Sequence, residues 1–170
     1  GNTGATNVLR TGHKGLAAAT LILDGAKGAM AVLLARHFVP ELGDHAAMIA
    51  GAAAMIGHCY PVWLKFRGGK GVATLLGLAL ALAWPIGLVF AVVWLGTVLL
   101  LRISSLGGML GAVSAPIAAL AFGHQVYAIG LAGLAVIVLW RHRENIARLR
   151  AGTEPRVGGK KDAPKGAGEA

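Results

Sequence analysis

Acidic side chains are scarce in this chain. Its 170 residues carry 7 Asp and Glu against 16 Lys and Arg, a formal net charge of +9. Charge of either sign is scarce too, at 14% of residues, where soluble domains carry about 25%. Residues 71–101 and 103–140 hold none at all. Uncharged apolar stretches of that length exclude an ordinary soluble domain, because a transmembrane helix needs only about 20 such residues. Cysteine is nearly missing. The single Cys59 excludes an internal disulfide and any CxxC metal motif, and it reads as a small apolar helix residue. No GxxxxGK[ST] run is present, which disfavours a P-loop NTPase. No histidine is followed five positions later by Asp, and no G-x-S-x-G elbow occurs, so two common acyl-transfer arrangements are absent. The basic residues flank apolar segments and gather after Arg141. Topology signals and anionic lipid head groups account for them better than nucleic acid does. No signal peptide is recognisable. The chain opens inside a polar glycine-rich segment, and the natural N-terminus is expected further upstream.

Apolar segments run over 16–35, 46–64, 71–101, 106–122 and 126–140. Trp84-Pro85 interrupts the third, and proline stops or kinks a helix, so two helices are expected there. The reading is an all-α, polytopic membrane bundle with six transmembrane helices, residues 1–154, followed by a disordered basic cytoplasmic tail, 155–170. Six passes put the Arg10 segment, the Lys65–Lys70 loop, Arg102 and the tail on one side. That side then holds all the Lys and Arg except Lys27 and Arg36, and the positive-inside rule makes it cytoplasmic. Asp24 and Lys27 lie within the first span at i, i+3 and share a helix face. Ionisable groups at such depth face the protein interior; an orienting ion pair and a functional pair fit equally.

Three polar, glycine-rich segments converge on the basic side. Gly1, Asn2, Thr6, Asn7 and Arg10 belong to Gly-Asn-Thr-Gly-Ala-Thr-Asn-Val-Leu-Arg, which offers small residues, amides, hydroxyls and a cation. Glycines let backbone N–H groups approach an anion closely. Lys65-Phe66-Arg67-Gly68-Gly69-Lys70-Gly71 leads into a helix expected to start near Gly71, and helix N-termini attract anions. His142, Arg143 and Asn145 follow the last span; His142 suits a base, a hydrogen-bond donor or a phosphate ligand. Ser104 and Ser105 either donate to a ligand or cap the next helix. Glu144 is placed to pair with Arg148 at i, i+4. The bland alternatives are a flexible loop, a topology determinant and a helix-end cation cluster.

These segments, together with Gly57-His58-Cys59-Tyr60-Pro61-Val62-Trp63-Leu64 before the second and Ile146-Ala147-Arg148-Leu149 after the third, closely resemble the signature motifs of the bacterial acyl-phosphate:glycerol-3-phosphate acyltransferases, the PlsY family. The resemblance covers about residues 1–154. The family's first motif opens Gly-Ser-Gly-Asn, and its fold has seven transmembrane helices, so the motif serine and one helix are expected upstream of Gly1. The resemblance implies transfer of a fatty acyl group from acyl phosphate to the 1-hydroxyl of sn-glycerol 3-phosphate, giving lysophosphatidate and phosphate. It implies no cofactor and no metal, and as partners the two substrates, membrane lipids and the enzyme that produces acyl phosphate. The expected location is the bacterial inner membrane with the site on the cytoplasmic side. Lys70, His142 and Asn145 are the expected catalytic residues. Gly1, Asn2, Thr6, Asn7, Arg10, Gly68, Gly69, Gly71 and Ser105 are expected to bind substrate, with the backbone amides of 68–71 cradling a phosphate. The proton acceptor is either His142 or a substrate phosphate. The competing class is an anion transporter or channel with a basic vestibule.

Overall fold

The computed structural model describes residues 4–158, and every regular element among them is helical. A short α1 (Ala5–Arg10) precedes α2 (Lys14–Phe38), α3 (Gly43–Cys59), α4 (Val72–Leu82), α5 (Trp84–Leu101), α6 (Ser104–Ala121), α7 (Gln125–Arg141) and α8 (Arg143–Arg150). Single 3-10 turns at Pro40–Leu42 and Val62–Leu64 flank α3. Large apolar side chains cover the outside: Ile22, Leu99, Leu100 and Ile129 are each more than two-thirds exposed. Lipid tails are as apolar as these side chains, so a membrane accepts this surface where water would not. The interior holds Leu75, Leu78, Ile86, Phe90, Leu131 and Val138 among many alanines.

The expected six passes are met only in part by length. Four helical stretches are long and apolar enough to cross a membrane: α2, α3 with its flanking turns, α5 and α6. A fifth is reached if α7 and α8 count as one bent span. They meet at 61°, and α8 holds Arg143, Glu144, Arg148 and Arg150 among its 8 residues, so it lies outside the apolar slab. Helix α4, with 11 residues, spans about 16 Å at 1.5 Å per residue, against about 30 Å of hydrocarbon.

Small residues and one arginine make this short helix possible. A Cβ on Gly77 would stand 2.0 Å from the Gly25 carbonyl oxygen, and one on Gly28 would stand 2.3 Å from that of Thr74. Helices α2 and α4 therefore touch backbone to backbone, as small residues allow in membranes. The break between α4 and α5 falls where Trp84-Pro85 predicts it. Ala83 is extended, and Pro85 sits in the first turn of α5, where its missing N–H costs nothing. That break leaves carbonyls of α4 without helical partners. Arg36 of α2 reaches them, donating to Ala81 O and Leu82 O at 2.7 Å each and to the Tyr127 hydroxyl at 2.9 Å. The Tyr127 hydroxyl in turn donates to Asp44 at the start of α3. The far ends of α2 and α4 and the near ends of α3 and α7 are thus tied at one pole. Hydrogen bonds to charged groups are worth about 1.5–3 kcal/mol. Arg36→Ala is expected to lower the unfolding temperature in detergent by several degrees, and Arg36→Lys to restore little, because one ammonium cannot span three acceptors. An unchanged transition would remove Arg36 from this role.

After α8 the chain turns back across the opposite pole. The Val157 N–H donates to Arg102 O at 2.6 Å, and Arg102 Nε donates to Val157 O at 3.0 Å. Packed structure therefore runs to Val157, past the expected boundary at 154/155. The remainder of the expected tail, 159–170, lies outside the described residues.

Candidate active site

Helix starts and helix ends supply the site. The entry to α4, the start of α6, the exit of α7 and the first turns of α8 meet at the pole opposite Arg36. Lys70 is half-buried just before α4, and its ammonium donates to Asn145 Oδ1 at 2.5 Å. Asn145, buried in α8, presents its amide N–H to Glu154 Oε1 at 2.6 Å. Ser105, in the first turn of α6, donates to the same oxygen at 2.6 Å, and Arg148 Nε donates to Glu154 Oε2 at 2.7 Å. Lys70, Asn145 and Ser105, far apart in sequence, thus belong to one hydrogen-bonded chain. Ser105 does not cap α6, since Ile103 occupies the N-cap; its hydroxyl goes to Glu154 instead. Thr6 of α1 joins the same end of α6, its hydroxyl 3.2 Å from that of Ser104. Asn7 lies exposed on α1. Gly1, Asn2 and the Arg10 side chain lie outside the described part of the structure.

Glu154 was not recognised in the sequence. It stands alone as an acid between Asn145 and Lys161, in a Gly-, Pro- and Lys-rich stretch that looks like a disordered tail. That isolation among cations was the available signal. Burial alone would raise the pKa of its carboxyl. The hydrogen bonds from Ser105, Asn145 and Arg148, and the charge of Arg148, outweigh that and hold it below the usual 4.5. Glu144 does not make the expected pair with Arg148, which turns to Glu154 instead.

His142 is buried where α7 gives way to α8, with its Nδ1 2.8 Å from the Val138 carbonyl. A carbonyl only accepts, so Nδ1 carries the proton and Nε2 keeps a lone pair. Burial, and secondarily the charges of Lys70 and Arg141, lower its pKa to about 4, although the Val138 bond and Glu154 act the other way. With its pKa lowered the imidazole is neutral at pH 7, so Nε2 can accept a hydrogen bond but the ring brings no positive charge to a phosphate. The unfolded imidazole takes its proton near 6.5. Folded stability therefore falls as pH drops from about 6.5 to about 4 and then levels.

The glycine turn departs from the expected cradle. The N–H groups of Gly68 and Gly69 donate to Cys59 O and His58 O at 3.2 Å each. Their carbonyls accept from Arg141, at 2.7 Å from Nη2 to Gly68 O and 3.1 Å from Nε to Gly69 O. The guanidinium also lies 5.2 Å over the Tyr60 ring. Both amides are thus committed to protein partners. The glycines are required for closeness: a Cβ on Gly68 would stand 2.1 Å from the His58 carbonyl, and one on Gly69 2.1 Å from the His58 ring. Gly71, with φ of +81°, caps α4, and the first N–H groups of that helix follow directly after Lys70. One turn further on, Ala73 opens an apolar groove of about 570 Å³ between α2 and α4, floored by Gly25, Ala29 and Gly77 and bordered by the exposed Ile22 and Leu33. A cationic, hydrogen-bonding head site and an apolar trough share one end of α4.

Residues 1–152 match the family model described as Glycerol-3-phosphate acyltransferase. A glycerol-3-phosphate acyltransferase of Ruegeria sp. is 61% identical over 160 residues, covering 94% of this chain and 78% of that protein. One of Dinoroseobacter shibae is 56% identical over 161 residues, covering 95% and 78%. Two crystal structures of PlsY (YgiH), an integral membrane glycerol 3-phosphate acyltransferase, superpose closely. The lysophosphatidic acid form gives a TM-score of 0.86 at 37% identity, covering 93% of this chain and 81% of that one. The glycerol 3-phosphate form gives 0.87 at 36%, covering 93% and 79%. With this match across nearly all its length, in sequence and in fold, the chain belongs to the glycerol-3-phosphate acyltransferase family.

Proposed function

We propose that this protein transfers a fatty acyl group from acyl phosphate to the 1-hydroxyl of sn-glycerol 3-phosphate, making lysophosphatidate in the bacterial inner membrane. The observation that carries the reading is the shared end of α4, where Lys70 and its Asn145–Glu154–Ser105 chain adjoin the apolar groove that begins at Ala73. An amphiphile with an anionic head and one chain fits that pairing. The glycerol hydroxyl oxygen attacks the acyl carbon as the bond from that carbon to the phosphate oxygen breaks; phosphate leaves, and the hydroxyl proton ends on phosphate. The donor is already activated, so the protein's share is to align the reactants and stabilise charge. Lys70, the α4 N-terminus and Arg10 hold the anions, Asn145 and Ser105 orient them, and Thr6, Asn7, Gly1 and Asn2 contribute to substrate binding. The chain crosses the membrane six times, α4 and α7 included, with the site facing the cytoplasm. Membrane lipids surround it, and the enzyme that produces acyl phosphate delivers from the cytoplasmic side. Labelled acyl phosphate and glycerol 3-phosphate, given to the full-length protein in detergent, are expected to yield labelled lysophosphatidate; absence of product from folded protein would end this reading.

His142 divides the two routes for the proton. A conjugate acid near pKa 4 is too acidic for an efficient base at neutral pH, since the ideal base titrates near the working pH. A phosphate monoester titrates near 6 and suits the task better. His142→Ala is therefore expected to lower saturated turnover only about two- to tenfold, the worth of one hydrogen bond, and to leave the acid limb of the pH–rate profile in place. A loss of several hundredfold at saturation, with the limb gone and the KM for glycerol 3-phosphate unchanged, would make His142 the base.

A further inference from the structure

Asp24, Lys27 and His58 form a polar cluster that the reaction above does not use. Lys27 Nζ lies 2.6 Å from Asp24 Oδ1 and 3.3 Å from His58 Nδ1. Asp24 Oδ1 is 3.6 Å from the same ring nitrogen. The Asp24 and His58 side chains are only 13% and 9% exposed, while Lys27 is 53% exposed, so the acid and the imidazole are held between α2 and α3 and the ammonium covers them from the outer side. An ammonium can only donate, so Nδ1 of His58 accepts and Nε2 carries the proton. Ionic groups at this depth are costly and are kept as balanced pairs or for a purpose.

The purpose lies on the far edge of the imidazole. The ring presses against Gly69 so closely that an added methyl would meet Nε2 at 2.1 Å, Cε1 at 2.8 Å and Cδ2 at 3.1 Å. The main chain of the same residue, with Cys59, takes the N–H groups of Gly69 and Gly68, while Arg141 takes both their carbonyls. The Gly68–Gly69 unit is clamped on two sides, and the next residue is Lys70, whose ammonium must reach Asn145. We infer that Asp24, Lys27 and His58 are positioning residues: they lock the imidazole under the glycine turn and so fix where Lys70 meets the anionic substrate. The inference rests on the function proposed above and names what holds its central cation in place. A displacement of about 1 Å at a reacting site costs on the order of a hundredfold, which sets the scale of the effect.

The test uses full-length protein, with kcat, KM for glycerol 3-phosphate and unfolding temperature measured together. His58→Ala is expected to raise the KM for glycerol 3-phosphate by about ten- to a hundredfold, with the unfolding temperature nearly unchanged. The charge-balanced double variant D24N/K27M, which strands no lone ion, should do the same, and combining it with H58A should add little because all three act as one unit. Gly69→Ala alone is expected to be severely impaired, and G69A/H58A to recover at least tenfold over G69A, since removing the ring vacates the space the methyl needs. Wild-type KM in either H58A or D24N/K27M would overturn the inference. So would losses that track the unfolding temperature and strike kcat and both substrates alike, or a G69A/H58A variant no better than G69A. Wild-type protein that makes no lysophosphatidate would overturn the proposed reaction instead; glycerol 3-phosphate binding by calorimetry then reads the same variants against the same expectations.

Discussion

Lys70→Ala is expected to reduce kcat/KM by about ten- to more than a hundredfold while the protein stays folded. The range is that of one charge-assisted hydrogen bond, about 1.5–3 kcal/mol. The side chain is half-buried at the entry to α4, so its removal leaves no core cavity, and the glycine turn before it is held by main-chain bonds and by Arg141. What is lost is a full positive charge beside the first N–H groups of α4, where an anionic head would otherwise meet both. Lys70→Arg should recover part of the activity, because a planar guanidinium keeps the charge but not the single-point geometry on Asn145. Initial rates over both substrates, with thermal unfolding of each variant, decide the matter. A stably folded K70A enzyme with near-wild-type turnover would remove Lys70 from the site.

The parts of this fold that local chemistry dictates were readable in the sequence. Pro85 lacks an N–H, so a break at Trp84-Pro85 follows from residue type, and the structure places Ala83 there as an extended residue. The uncharged runs marked the helices α4 to α7, and the basic loops marked the pole where Lys70, Ser105, His142 and Asn145 gather. Partnership across the bundle was not readable. Gly68 and Gly69 look like an anion cradle, yet their amides go to Cys59 and His58; only the folded return of the chain onto the end of α3 reveals that. Arg36 looks like a loop cation, but its targets, Ala81 O and Leu82 O, are backbone groups with no sequence signature. The length of the helix before the Trp84-Pro85 break was not readable either: α4 has only 11 residues, shorter than a full span, and it is held by close contact with α2 and by the cap that Arg36 supplies.

Glu154 carries the other large expected effect. Its carboxylate, with the side chain 2% exposed, gathers three donors from two helices: Ser105 of α6, and Asn145 and Arg148 of α8. Asn145 in turn takes the Lys70 ammonium on its carbonyl oxygen, so Glu154 fixes which way that amide points. Glu154→Ala removes the only acceptor these bonds show and leaves buried donors unpaired, at about 1–3 kcal/mol for each group. The Arg148 share is discounted, because that side chain is 39% exposed and water screens it. The expected result is a clear drop in unfolding temperature together with at least about a tenfold loss of activity, measured well below the transition so that folded protein is compared with folded protein. Glu154→Gln keeps one acceptor oxygen but turns an amide N–H toward another donor, so it should recover stability only partly. The pH dependence has a definite sign. The carboxyl is held below its ordinary value, so its contribution is complete above about pH 4.5 and is lost as pH falls through its own lower pKa. E154Q should therefore flatten the acid limb of the stability curve below pH 4.5. It should leave the decline between about 6.5 and 4 that belongs to His142. Wild-type activity and an unaltered acid limb in E154Q would show that the carboxylate neither orients Asn145 nor holds the segment that follows α8, and that Ser105 and Asn145 find their positions without it.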